Sequence, residues 1–80
     1  MKIPAIKKLV ENHSVQELME AEEALVEEKE PAFEVEGADE GEKLTHVFAA
    51  IFIHEKMDKE GKDFKSSLRE YTSKVRTSIS

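Results

Sequence analysis

The chain has 80 residues, no cysteine and a formal net charge of −6. This length fits a single domain, 1–80, and the lack of cysteine excludes disulfides and cysteine-based zinc sites as sources of stability. Because so small a domain buries a modest fraction of its surface, we expect it to gain stability by forming a homodimer.

Acidic residues are concentrated in the middle of the chain. Residues 20–42 contain eleven aspartates and glutamates and one lysine. Such a segment repels nucleic-acid phosphates and anionic membranes, so we expect neither as a partner. The amino-terminal residues have no secretory cleavage pattern, and the apolar run at 47–53 is too short to span a bilayer. We therefore expect a cytoplasmic protein.

Two short helices are predicted first. The first begins near Pro4, which suits an early helical position, and ends near Asn12-His13. The second begins after Ser14, which forms a capping-box pattern with Glu17, and continues until Pro31. The predicted apolar stripe of this second helix consists of Val15, Leu18, Met19, Leu25 and Val26.

The segment after Pro31 alternates apolar and acidic residues. Phe33 and Val35 are separated by glutamate, and this period of two is typical of a short extended segment or an edge strand near 32–36. Two apolar residues cannot form a sheet by themselves. We expect both side chains to contribute an apolar or edge-strand contact to a partner.

The third predicted helix covers about 39–60 and includes the apolar run 47–53. Gly61 follows it and suits the left-handed residue that ends many helices. Because a helix that is apolar all round must be buried all round, we predict an all-α bundle of about four helices with this one at its centre. A buried strand over 46–53 is the alternative, but the adjacent alanines and charged flanks favour a helix.

The fourth predicted helix follows Asp63, which caps it, and carries the clearest amphipathic pattern. Its apolar stripe consists of Phe64, Leu68, Tyr71, Val75 and Ile79. A second face of the same helix carries three basic residues, Lys65, Arg69 and Arg76.

Four glutamates on the second helix follow one another at spacings of three, four and three, so they share one face. We call this group the acidic ridge, and it consists of Glu20, Glu23, Glu27 and Glu30. The ridge is either a solvated face that keeps the protein soluble or a surface that attracts positive charge. If the ridge attracts positive charge, the basic face of the fourth helix could bind the ridge within the chain or across a dimer. It could also compete with an outside partner for the ridge. Carboxylates on a single helix seldom form a tight metal site, so we expect no metal and no cofactor.

Glu22 is the one glutamate on the apolar side of the second helix, and His46 and His54 bracket the apolar run of the third. A half-buried carboxylate beside a histidine has the profile of an acid/base pair, which makes these three residues a candidate pocket of a small enzyme or ligand-binding protein. The alternative is that Glu22 reaches water or a base at the edge of the stripe, and that both histidines are boundary residues. Since the chain has no nucleophile motif or phosphate-binding glycine loop, the sequence favours a protein without catalytic activity.

Three stretches of the chain, MKIPAIKKLVENHS, EVEGADEGEKLTHVFAAIFI and FKSSLREYTSKVR, resemble a small family of uncharacterised bacterial proteins of about this length. The resemblance covers nearly the whole chain, implies a stand-alone protein and transfers no active-site residues. It also implies an accessory role beside peroxiredoxin-like and thioredoxin-like proteins. Lacking cysteine, the chain could bind such a protein but could not exchange electrons between thiols. We therefore expect a non-catalytic protein-interaction or accessory module with an acidic surface.

Overall fold

The computed structural model describes the backbone of residues 2–79 and the side chains of residues 2–74. Within this part the chain forms four α-helices and no strand. They are α1 (Ile3–Asn12), α2 (Val15–Val26), α3 (Glu40–Glu60) and α4 (Phe64–Ile79). None of the described helices combines the length and apolar character needed to cross a membrane. The prediction of an all-α bundle of about four helices is confirmed.

The starts of α2, α3 and α4 are fixed by side chains that cap them. Ser14 Oγ accepts the Glu17 N–H at 3.2 Å, and the Glu17 carboxylate accepts the Ser14 N–H at 3.0 Å. Asp39 and Asp63 accept N–H groups in the first turns of α3 and α4, both at 2.8 Å. These bonds satisfy donors that no helix carbonyl can reach. The hydrogen bond from the Ser14 N–H lowers the pKa of Glu17, and the bond from the N–H three residues on lowers the pKa of Asp63.

The end of α2 differs from the prediction. The helix ends at Val26, well before Pro31. The N–H groups of Glu28 and Lys29 donate back to carbonyls of its last turn, at 3.1 and 2.7 Å, in the pattern of a Schellman motif. Glu28 adopts φ 61°, in the left-handed region that favours glycine. Backbone hydrogen bonds therefore end the helix before proline does.

The hydrophobic core is built around α3, which packs against α1, α2 and α4. The buried apolar side chains of the core are Ala5, Ile6, Leu9, Val10, Leu18, Ala21, Leu25, Val35, Val47, Ala49, Ala50 and Ile53. Phe64, Leu68 and Tyr71 of the predicted α4 stripe pack against this core while half-buried. The other two members of that stripe, Val75 and Ile79, lie outside the described side chains. The prediction that the third helix is central is confirmed.

One face of α3 is nevertheless open to solvent. Phe48 is 44% exposed, and its neighbours Ile51 and Phe52 are half-buried. The exposure of Phe48 shows that no described element covers this face completely. The prediction that the apolar run is buried on every side is therefore wrong for this face.

The predicted stripe of α2 is partly confirmed. Leu18 and Leu25 are buried, but Met19 is 46% exposed and Val26 is 60% exposed. Because α2 packs mainly against α3, its buried arc is narrow and the apolar residues at the edge of the stripe remain in water.

The segment between α2 and α3 folds back onto the body of the protein and forms no strand in the described structure. Val35 is 3% exposed and joins the core, which anchors the segment. Gly37 passes so close to the start of α3 that a Cβ there would lie 2.8 Å from the Lys43 nitrogen. Residues 34–37 have no regular secondary structure, and the apolar side chain of Val35 faces inward and not towards a neighbouring strand.

Candidate interaction surfaces

The most strongly charged surface runs from α2 into the loop that follows it. We call it the acidic surface, and its exposed members are Glu20, Glu23, Glu27, Glu28, Glu30 and Glu34. Glu27 lies 3.5 Å from the ammonium group of Lys29, with both side chains more than half exposed. The other members make no ion pair with any described side chain. The surface is therefore solvated and largely uncompensated.

The acidic ridge predicted on one helix is shorter than expected. Glu20 and Glu23 lie on α2, Glu27 is its C-cap, and Glu30 lies in the loop beyond. The four carboxylates do not share a continuous helical face, because the helix ends before the last two positions. The loop still keeps the negative charge in one region, so the acidic surface extends over both α2 and the loop.

The basic face of α4 does not meet the acidic surface within the chain. Lys65 and Arg69 are exposed, and no ion pair among the described side chains joins them to any of the six glutamates. Helix α4 packs mainly against α3. The side chain of Arg76 lies outside the described residues. The intramolecular pairing allowed by the sequence is thus absent for Lys65 and Arg69.

An ion-pair network instead joins α3 to α4. Lys62, in the connecting turn, lies 2.8 Å from Glu70 and 3.2 Å from Glu60, while Lys56 lies 2.7 Å from the other oxygen of Glu60. These hydrogen bonds lower the pKa of Glu60, chiefly through Lys56, and raise the pKa of Lys62, chiefly through Glu70. Solvent screens these partly exposed pairs, so each contributes little to stability.

The open face of α3 forms a shallow groove of about 320 Å³. It is lined by Phe48, Ile51, Phe52, Glu55, Lys56, Lys59 and Glu60. The ring centroids of Phe52 and Tyr71 are 5.4 Å apart. The ammonium groups of Lys56 and Lys74 lie 5.6 and 5.3 Å from the centroid of the Phe52 ring. These contacts leave Phe48 as the most exposed apolar side chain of the groove.

Phe33 and Val35, which were predicted to contact a partner, both make contacts within the chain. Phe33 stacks on His13, with ring centroids 3.6 Å apart and an interplanar angle of 14°. Val35 is buried in the core, so it is removed from any contact surface. The sequence did not identify His13 as the partner of Phe33, because the contact joins the end of α1 to a loop twenty residues away.

His46 is a structural residue. It is completely buried, its Nε2 accepts the Lys2 N–H at 3.0 Å, and its Nδ1 lies 2.6 Å from the Glu36 carbonyl. An amide must donate and a carbonyl must accept, so these partners assign the neutral tautomer with its proton on Nδ1. Both ring nitrogens are therefore engaged in joining the amino terminus and the loop to α3.

No hydrogen bond or ion pair of the described residues assembles the predicted pocket of Glu22 with His46 or His54. Glu22 is half-buried as predicted, but no hydrogen bond or ion pair among the described side chains links it to either histidine. His54 Nδ1 lies 3.0 Å from a carboxylate oxygen of Asp58, one turn further along α3. The histidines thus have separate roles at their own positions. Within the described residues, no three histidine, aspartate or glutamate side chains converge as a metal-binding group.

The comparisons with known proteins add one finding. No curated protein and no solved structure matches the chain. A family model described as a family of unknown function, DUF6952, matches residues 1–80. Because this match covers the whole sequence, the chain belongs to the DUF6952 family of unknown function.

Proposed function

We propose that this protein is a non-catalytic interaction module that binds a positively charged protein surface through its acidic surface. The observation that carries the proposal is the group of six exposed glutamates within residues 20–34, of which Glu27 alone has an ion-pair partner among the described side chains. Uncompensated charge in one region creates a field that attracts and orients a basic partner.

The position of these charges supports the proposal, because it is unfavourable for the fold. Glu20, Glu23 and Glu27 are like-charged neighbours at helical spacing, which destabilises a helix. Glu27 and Glu28 also lie at the carboxyl end of α2, where the helix dipole already presents partial negative charge. Glu28 further adopts a backbone conformation that glutamate disfavours. Violations of local folding rules are expected where a surface serves binding.

The class of partner to test first comes from the family resemblance, which implies association with thiol-redox proteins. The chain has no cysteine, so its part in such an association is binding and not electron transfer. A cytoplasmic location and a bacterial source belong to the same proposal and rest on the sequence.

A comparative pull-down tests this function. The bait variant is Glu23→Lys/Glu27→Lys, and the matched control is Glu11→Lys/Asp58→Lys, which changes the net charge equally at exposed positions elsewhere. Each bait is incubated with cytosol at about 50 and about 300 mM NaCl, and captured proteins are identified by mass spectrometry.

We expect a partner that binds the wild type and the control at low salt, and that is lost with the acidic-surface variant and at high salt. Purified partner then gives the affinity by titration, with an association rate that falls as salt is raised. Retention of the same partner by the acidic-surface variant at high salt would contradict the proposal.

A further inference from the structure

The open face of α3 is a second surface, separate from the acidic surface. Its centre is apolar, with Phe48 44% exposed and Ile51 half-buried one turn away. Its ends are charged, with Glu40 exposed in the first turn and the Lys59 side chain 77% exposed in the last. At 100° per residue these four positions fall within an arc of about 100°, so they point to one side of the helix.

These four residues are spaced symmetrically about the middle of α3, whereas the charges at its two ends have opposite signs. Glu40 lies eight residues before Phe48, and Lys59 lies eight residues after Ile51. A two-fold axis at the midpoint of the helix therefore sets Phe48 opposite the partner's Ile51 and Glu40 opposite the partner's Lys59. A parallel pair would instead set like charges together, which costs affinity.

The exposed apolar side chains of α3 also favour a covered face, because Phe48 is 44% exposed and Ile51 and Phe52 beside it are half-buried. An exposed phenylalanine at the centre of such a surface, with charges at its rim, is the arrangement of an interface core and rim.

We propose that the open face of α3 is the interface between two copies of this chain, whose α3 helices pack antiparallel about a two-fold axis. Phe48 is the apolar anchor, and the two symmetric pairs of Glu40 with the partner's Lys59 fix the register. The Lys59 ammonium lies 3.5 Å from Glu55 within one chain, a long contact that it can exchange for Glu40 of the partner subunit. The acidic surface is not part of this interface.

The first test measures the molar mass by size-exclusion chromatography with light scattering, at concentrations up to about 100 μM. Phe48→Lys is compared with Val26→Lys, which places the same charge on the exposed side of α2. We expect a dimer for the wild type and for Val26→Lys, and a folded monomer for Phe48→Lys, with helix content checked by circular dichroism. A monomeric wild type, or a dimer that survives Phe48→Lys, overturns the proposal.

The second test addresses the antiparallel register by charge exchange. Glu40→Lys and Lys59→Glu should each raise the dimer dissociation constant about tenfold, because each change sets like charges together twice per dimer. The double variant Glu40→Lys/Lys59→Glu should restore the dissociation constant to within about threefold of the wild type. The proposed register is overturned if neither single substitution changes the dissociation constant. It is also overturned if the double variant dimerises more weakly than both single variants. Either result leaves the pull-down on the acidic surface unaffected.

Discussion

At the scale of single residues, two buried polar side chains differ in how their hydrogen bonds are satisfied. His46 has a backbone partner for each ring nitrogen, and it holds three separate parts of the chain together. Ser67 is also completely buried, but its hydroxyl has no hydrogen-bond partner in the described structure. Burying a hydroxyl without a partner is unfavourable, so the contribution of Ser67 lies in its small size at the contact of α4 with the core.

We therefore predict that Ser67→Ala leaves the protein at least as stable as the wild type and up to about 1 kcal/mol more stable. Urea unfolding followed by circular dichroism measures the change. The higher helix propensity of alanine adds at most about 0.7 kcal/mol to this comparison. If Ser67→Ala loses more than about 1 kcal/mol relative to the wild type, the hydroxyl has a partner and the assignment is wrong.

Gly37 and Gly41 differ in the space available for a side chain. A Cβ at Gly37 would lie 2.7 Å from the Lys43 Cγ and 2.8 Å from its backbone nitrogen, whereas a Cβ at Gly41 would meet nothing closer than 3.4 Å. Gly37→Ala should therefore lower the free energy of unfolding by about 1–3 kcal/mol, because the backbone of α3 would have to move. Gly41→Ala, in the first turn of α3, should be neutral or gain up to about 1 kcal/mol. Equal unfolding midpoints for the two variants would refute the close approach.

At the scale of secondary structure elements, signals that act within a few residues were predictable from the sequence. Ser14, Asp39 and Asp63 were assigned as helix starts and Gly61 as a helix end, and the structure confirms all four. The early end of α2 was not predictable, because its left-handed residue is Glu28 and no glycine or asparagine marks the position. Local chemistry thus determined most boundaries, and the exception is the helix end formed by an unfavourable residue.

The strain at the end of α2 can be relieved by substitution. Glu28 occupies the position of a Schellman motif where glycine is preferred, at φ 61°. Glu28→Gly should raise the free energy of unfolding by about 0.5–1 kcal/mol, since glycine adopts this conformation without a Cβ clash. Gly61→Ala, at φ 65° after α3, is the reciprocal change and should lower stability by a similar amount. A loss of stability in Glu28→Gly would contradict the assigned helix end.

The cap of α4 should give a pH-dependent contribution to stability. The Ser66 N–H bond lowers the pKa of Asp63 below its ordinary value of 3.8, so the folded state favours the carboxylate. The contribution is complete above the ordinary value and is lost as the pH falls through the lower folded value. Asp63→Asn retains a capping oxygen that does not titrate.

We expect Asp63→Asn to match the wild type in stability near neutral pH, and to lose less stability than the wild type as the pH falls below about 4. Asp63→Ala should be less stable than both at neutral pH and should approach the wild type in acid. Thermal unfolding of the three proteins across this range measures the difference. Parallel pH profiles for the wild type and Asp63→Asn would show that the carboxylate does not act as the cap.

At the scale of the whole molecule, the candidate surfaces were harder to predict than the fold. The sequence indicated that the third helix is central, but it could not show that the neighbouring helices leave Phe48 in water. Pairings between distant segments were missed for the same reason. Phe33 and Val35 were interpreted as contacts for a partner, and the structure uses both to fold the loop onto the body. Burial depends on which elements meet, and single-sequence patterns do not contain that information.

Net charge and local charge have separable effects on the stability of this protein. Glu23→Gln and Glu11→Gln reduce the net charge of −6 equally. Glu23 has like-charged neighbours at helical spacing, Glu20 and Glu27, whereas Glu11 follows Lys7 and Lys8. At low salt, Glu23→Gln should therefore raise the free energy of unfolding by about 0.4–1 kcal/mol, because it removes two repulsive pairs. Glu11→Gln should leave the free energy of unfolding unchanged or lower it slightly.

Urea unfolding at about 20 and about 500 mM NaCl checks this prediction, because salt should remove most of the difference between the two variants. Equal gains at low salt would mean that repulsion across the whole molecule dominates and that the acidic surface is not specially strained. If the difference is found, Glu23→Gln should also bind a basic partner more weakly than Glu11→Gln does. Greater stability and weaker binding in one variant would then trace the unfavourable charge on α2 to its use as a binding surface.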